Sequence, residues 1–66
     1  MKKRLTETEI KILILIQEGL ITKEVAVLLK ISTRTVETHR RNIHQKLGVR
    51  NATAALYKAR QLNVLV

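Results

Sequence analysis

The chain has 66 residues, a length that suits one domain, and a domain this short buries roughly 60% of the surface its unfolded form exposes. Lysine and arginine number 13 against 5 acidic residues, and a formal charge of +8 suits a polyanionic partner, either nucleic acid or an anionic membrane surface. The absence of cysteine excludes disulfides, thiolate chemistry and cysteine-ligated zinc, and no apolar run approaches the ~18 residues of a membrane span.

With 45% hydrophobic residues the composition is that of a folded domain, but Phe, Trp and Pro are missing and Tyr57 is the one aromatic residue. The core must therefore be built from Ile, Leu, Val and Ala. The start, Met1-Lys2-Lys3-Arg4, has the charge of a signal-peptide n-region. The next segment is a capped, charged helix rather than an apolar h-region with a cleavage site. The expected location is the cytoplasm, at the nucleoid.

Thr6-Glu7-Thr8-Glu9 has the spacing of a capping box, with Leu5 and Ile10 at the two positions of a hydrophobic staple. Ile12, Leu13, Leu15 and Ile16 come next, and Gly19 is a C-terminal stop, so the first helix is expected between them. Thr22 is the expected N-cap of a second helix, with Val25, Leu28 and Leu29 as its inward stripe and Ala26 permitting close approach. Lys30-Ile31 breaks the pattern. Ser32 then caps a third helix that runs to about Leu47, with Gly48 after it. Asn51 caps a fourth, with Ala55, Ala59 and Leu62 on its buried side. The expected fold is all-α: a four-helix, bundle-like single domain over residues 1–66, preceded by a basic tail at 1–4.

The second and third helices, joined by a tight turn over about 22–47, form a helix-turn-helix candidate. Laid out at ~100° per residue, Val36, Ile43 and Leu47 of the third helix fall on one side, bordered by His39 and Arg40. The opposite face carries Arg34, Thr38, Arg41 and Gln45, with Glu37 on its flank. These side chains match base edges in a major groove: Arg to guanine, Gln to adenine, Glu to cytosine, and Thr through its methyl or hydroxyl. Gln45 lies two turns farther along, where such a helix leaves the groove. Helix starts with free amides place Thr22, Ser32 and Thr33 against phosphates, and Lys23, Arg40, Lys46 and Arg50 add cations nearby.

Leu5-Thr6 with Glu9, Gly19-Leu20, Lys23-Glu24-Val25-Ala26, the string Ile31 to His39, Asn42-Ile43 and Lys46-Leu47-Gly48-Val49 together resemble the LuxR/FixJ-type helix-turn-helix domain. The resemblance runs from Leu5 to about Leu65. It implies a bacterial transcription regulator that binds double-stranded DNA as a homodimer at paired half-sites. It further implies base contacts from Glu37, Thr38 and Arg41, and backbone contacts from Thr22, Lys23, Ser32, Thr35, His39 and Lys46. Thr38 and Arg41 are favoured by both routes. Domains of this type dimerise through the fourth helix, where Thr53, Tyr57 and Arg60 recur at i, i+4 and i+7 away from the alanines. They often lie C-terminal to a receiver or ligand-sensing domain, so the chain reads as an isolated output domain or as a regulator beginning at its own Met1. Ile10 and Ile14 depart from the pattern, which is usually polar there. The staple explains Ile10, while Ile14 is a candidate contact for a regulatory domain or for RNA polymerase.

His39 and His44 are five apart and share no helical face, so no metal is expected. No phosphate-binding loop, nucleophile–base pair or carboxylate pair appears, and neither enzymatic activity nor a cofactor is expected. Two rival readings are a sigma-factor-like promoter-binding domain and a protein-interaction module using Ile10, Ile14 and the fourth helix. Salt-sensitive binding to duplex DNA separates the second from the main reading.

Overall fold

The computed structural model describes residues 4–65, which form four helices: α1 Glu7–Gln17, α2 Thr22–Leu29, α3 Thr33–Leu47 and α4 Ala52–Gln61. No strand occurs among the described residues. Met1, Lys2 and Lys3 of the expected basic tail lie outside them.

Three of the four expected caps form. Thr6 Oγ1 accepts from the Glu9 amide at 3.1 Å while Glu9 Oε1 accepts from the Thr6 amide at 2.8 Å, a complete capping box. Leu5 and Ile10, the two staple positions, both line one largely apolar hollow with Leu47, Leu62 and Val64. Ser32 Oγ accepts from the Thr35 amide at 3.0 Å, and Asn51 Oδ1 from the Ala54 amide at 2.8 Å.

The fourth expected cap is displaced by one residue. Ile21 is the N-cap of α2, and Thr22 is its first helical residue. Glu24 explains the shift, because its carboxylate reaches back three residues to the Ile21 amide at 2.9 Å. The Thr22 hydroxyl is thereby released for a different partner.

Between α2 and α3 the chain reverses at Lys30, whose φ of 60° and ψ of 42° are left-handed. The Lys30 amide donates to Val27 O at 3.2 Å and the Ile31 amide to Ala26 O at 3.0 Å. Gly48, with φ 68°, ends α3 in the same conformation. Beyond α4, Asn63 takes φ 61°, and the Val64 amide bonds to Ala59 O at 2.9 Å.

Ile12 and Leu13 from α1, Val25 and Ala26 from α2, Val36, Ile43 and Leu47 from α3, Ala55 and Ala59 from α4, and Leu65 make up the core. The third helix packs against each of the other three, which pins its inner stripe and leaves its outer face free. Two residues expected inside are outside. Leu28 is 58% exposed, and it is its neighbour Leu29 that packs against the core on that turn of α2. Leu62 is 54% exposed because α4 ends at Gln61, and the turn at Asn63 folds Leu65 into the place expected for it.

Candidate nucleic-acid interface

The outer face of α3 is set by what its inner face must do. With Val36, Ile43 and Leu47 buried at helical spacing, Arg34, Glu37, Thr38, Arg41 and Gln45 are left in solvent, and all five are exposed. Arg34, Glu37, Thr38 and Arg41, the four side chains expected at bases, line one polar hollow of about 300 Å³. Gln45 stands apart from it. Thr38 Oγ1 donates to the Arg34 carbonyl at 3.1 Å. Among the described residues the one ion pair joins Lys46 to Glu9, so Glu37 and the arginines beside it carry unpaired charges.

The residues expected at phosphates lie on α2, at the cap of α3 and along α3. Ser32, Thr33 and Thr35 are exposed at the start of α3, where the helix presents free amides and the positive end of its dipole. The Ser32 and Thr35 hydroxyls bond each other at 2.8 Å, which leaves one proton of the pair available. Arg40 donates through Nη1 to Thr22 Oγ1, fastening α3 to the first turn of α2 while the threonine keeps its own proton. Lys23 is exposed beside it, and His39 is half-buried on the border of α3. Arg50 is exposed beyond the end of α3.

Lys46 occupies a more constrained position than its sequence context implies. Its Nζ donates to Glu9 Oε1 at 2.8 Å and to the Arg4 carbonyl at 3.0 Å, leaving one of three ammonium protons. Glu9 is 2% exposed and thus a buried carboxylate. Burial pushes its carboxyl up, but the Lys46 ammonium, the Thr6 amide and the His39 charge outweigh that and hold it below the usual 4.5. His44 is held below 6.5 by burial and by the Arg40 guanidinium.

The pairings of Lys46 with Glu9 and of Arg40 with Thr22 span 37 and 18 residues, and no local spacing announces either. Glu9 was legible as a capping residue only. Among the described residues no group of three or more His, Cys, Asp or Glu side chains stands close enough to hold a metal ion, and no helix is long and apolar enough to cross a membrane.

Thr53, Tyr57 and Arg60 are exposed together on α4. Tyr57 Oη accepts from Gln61 Nε2 at 3.0 Å, and Arg60 Nε donates to Gln17 Oε1 at 3.2 Å. The aromatic ring and the guanidinium are therefore both held in place on an open surface.

Comparison with known proteins identifies the family and the fold. The family model for bacterial regulatory proteins of the luxR family matches residues 3–59. The chain is 43% identical to the uncharacterized response regulatory protein YgeK of Escherichia coli (strain K12), covering 92% of this chain and 42% of YgeK. It is 42% identical to the response regulator protein VraR of Staphylococcus aureus (strain Mu3 / ATCC 700698), covering 98% and 34%. It thus spans less than half the length of these relatives. Among solved structures, the response regulator ChrA of a heme-sensing two-component system superimposes with a TM-score of 0.94 at 42% identity, over 98% of this chain and 32% of ChrA. The transcription factor GerE gives 0.90 at 35% identity, over 97% of each chain. With this fold and this match, the chain belongs to the luxR family of bacterial regulatory proteins, as its helix-turn-helix DNA-binding domain.

Proposed function

We propose that this domain binds double-stranded DNA sequence-specifically as a homodimer and regulates transcription at the nucleoid, in the cytoplasm. Each copy lays α3 in a major groove of a paired site, with the helix-turn-helix at about 22–47 as the reading unit of a single domain. Arg34, Glu37, Thr38 and Arg41 meet base edges. Thr22, Lys23, Ser32, Thr33, Thr35, His39, Arg40 and Lys46 meet the backbone, and Thr53, Tyr57 and Arg60 meet the second copy. The observation that carries this reading is the polar hollow on α3, where two unpaired arginines stand on either side of Thr38 on a face that the core leaves free.

The test is selection of bound sequences from a random duplex library, then titration of the best one at several salt concentrations. The expected product is an inverted repeat with half-sites about one helical turn apart, bound by two copies. Non-selective binding at moderate salt would overturn the proposal. Ile14 and Leu28, both exposed, favour a second contact, with RNA polymerase or a regulatory domain. Leu28→Lys would then change transcription without changing DNA affinity.

A further inference from the structure

Thr38 sits at the middle of the outward face of α3, four residues after Arg34 and three before Arg41. Its hydroxyl is already engaged, since Oγ1 donates to the Arg34 carbonyl at 3.1 Å. A threonine hydroxyl has one proton, so none is left for a guanine O6, an adenine N7 or a thymine O4. Back-bonding to the preceding turn also selects one of the rotamers open to a helical threonine. The γ-methyl is then the substituent that an exposed Thr38 offers outward. In the major groove a methyl group is carried by thymine alone among the four bases.

Resting on the reading that α3 enters the major groove, we infer that Thr38 is a thymine-methyl reader. It discriminates by apolar contact, while Arg34 and Arg41 on either side supply donors to guanine. Specificity at that base pair then resides in the 5-methyl group and not in a hydrogen bond donated by Thr38.

The probe is a selected duplex in which each thymine is replaced in turn by deoxyuridine, a change that removes the methyl and leaves the pairing intact. At one position in each half-site the affinity of the unaltered domain is expected to fall about fourfold, the worth of one buried methyl, with other positions unaffected. Thr38→Val keeps a methyl and discards the hydroxyl, so it should still discriminate thymine from deoxyuridine. Thr38→Ser keeps the hydroxyl and loses the methyl, so it should bind both duplexes equally. Circular dichroism checks that both variants are folded. Selective binding that no deoxyuridine disturbs, or discrimination kept by Thr38→Ser and lost by Thr38→Val, overturns the inference while leaving DNA recognition standing. Failure of the unaltered domain to select any sequence overturns both readings together.

Discussion

Arg41 and Lys46, five residues apart on one helix, are held so differently that their truncations should separate cleanly. Arg41 is exposed and has no hydrogen-bond or ion-pair partner among the described residues, so Arg41→Ala should leave stability within about 0.5 kcal/mol. At a selected DNA site it should cost about 1–3 kcal/mol and relax base preference. Equal loss on a scrambled duplex would assign Arg41 to phosphates instead. Lys46 neutralises the buried Glu9 carboxylate, so Lys46→Met should destabilise the fold by about 2 kcal/mol, read from urea unfolding at pH 7. Loss of DNA affinity in that variant would come partly through the fold. The Glu9 pair also fixes a pH dependence. The folded carboxyl lies below its ordinary 4.5, so the unfolded chain takes up the proton first as pH falls. The stabilisation is complete above the unfolded value and is lost as pH drops through the folded one. The gap in stability between the unaltered domain and Glu9→Gln should therefore be widest at neutral pH and narrow as pH falls below 4.5. His44 acts in the same direction in a higher window, because its folded value also lies below the ordinary 6.5. Its contribution is present above 6.5 and declines as pH falls from there, and His44→Gln should flatten the midpoint-versus-pH curve in that range.

At the scale of the element, the left-handed C-caps of α2 and α3 give a matched pair of substitutions. Lys30 holds φ 60° with a side chain that disfavours it, whereas Gly48 holds φ 68° at no such cost. Lys30→Gly should raise stability by up to about 1 kcal/mol, and Gly48→Ala should lower it by about the same amount. Both appear as shifts in thermal midpoint of several degrees, roughly 4–8 °C per kcal/mol for a domain this small. A Cβ at Gly48 meets nothing within 4 Å, so an unchanged midpoint there would show that left-handed strain is absent. The same helix ends explain what the sequence made legible. Signals confined to a turn of helix were readable: the Thr6–Glu9 box, the Ser32 and Asn51 caps, and the stop at Gly48. Even the displaced cap of α2 has a local sign, since Glu24 stands three residues after Ile21 and two after Thr22. Periodicity placed the inner stripe of α3 correctly because three neighbouring helices cover that face. It misplaced Leu28 and Leu62, where a helical wheel assumes a neighbour that tertiary packing does not provide. The outward residues of α3 were legible as the complement of a covered stripe. The partners of Lys46 and Arg40 were not, since they are set by how α1 and α2 dock on α3.

For the whole molecule the relevant lengths are its own and those of DNA. The domain measures 30 × 24 × 20 Å, while successive major grooves on one side of a duplex lie about 34 Å apart. In the proposed dimer each copy is short enough to sit over one groove, with its neighbour over the next. A two-fold axis near the α4 faces, where Thr53, Tyr57 and Arg60 are exposed, fits this arrangement. The charge of +8 on each copy opposes association in free solution, and the apolar contribution of the patch is essentially one tyrosine ring, 62% exposed. DNA removes the opposition by neutralising the cations, so association is expected to accompany binding. Analytical ultracentrifugation should show a monomer without DNA at micromolar concentration and two copies on a paired site. If Lys23, Arg40 and Lys46 of each copy meet phosphates, the logarithm of affinity for the paired site should fall with the logarithm of salt at a slope of about −5. Tyr57→Ala should leave affinity for a single half-site and its salt slope unchanged. It should abolish the cooperative gain on the paired site, because in the proposed dimer the ring meets the second copy and no phosphate. A matching loss on the single half-site would instead place Tyr57 against DNA, and unaltered cooperativity would move the dimer axis away from α4.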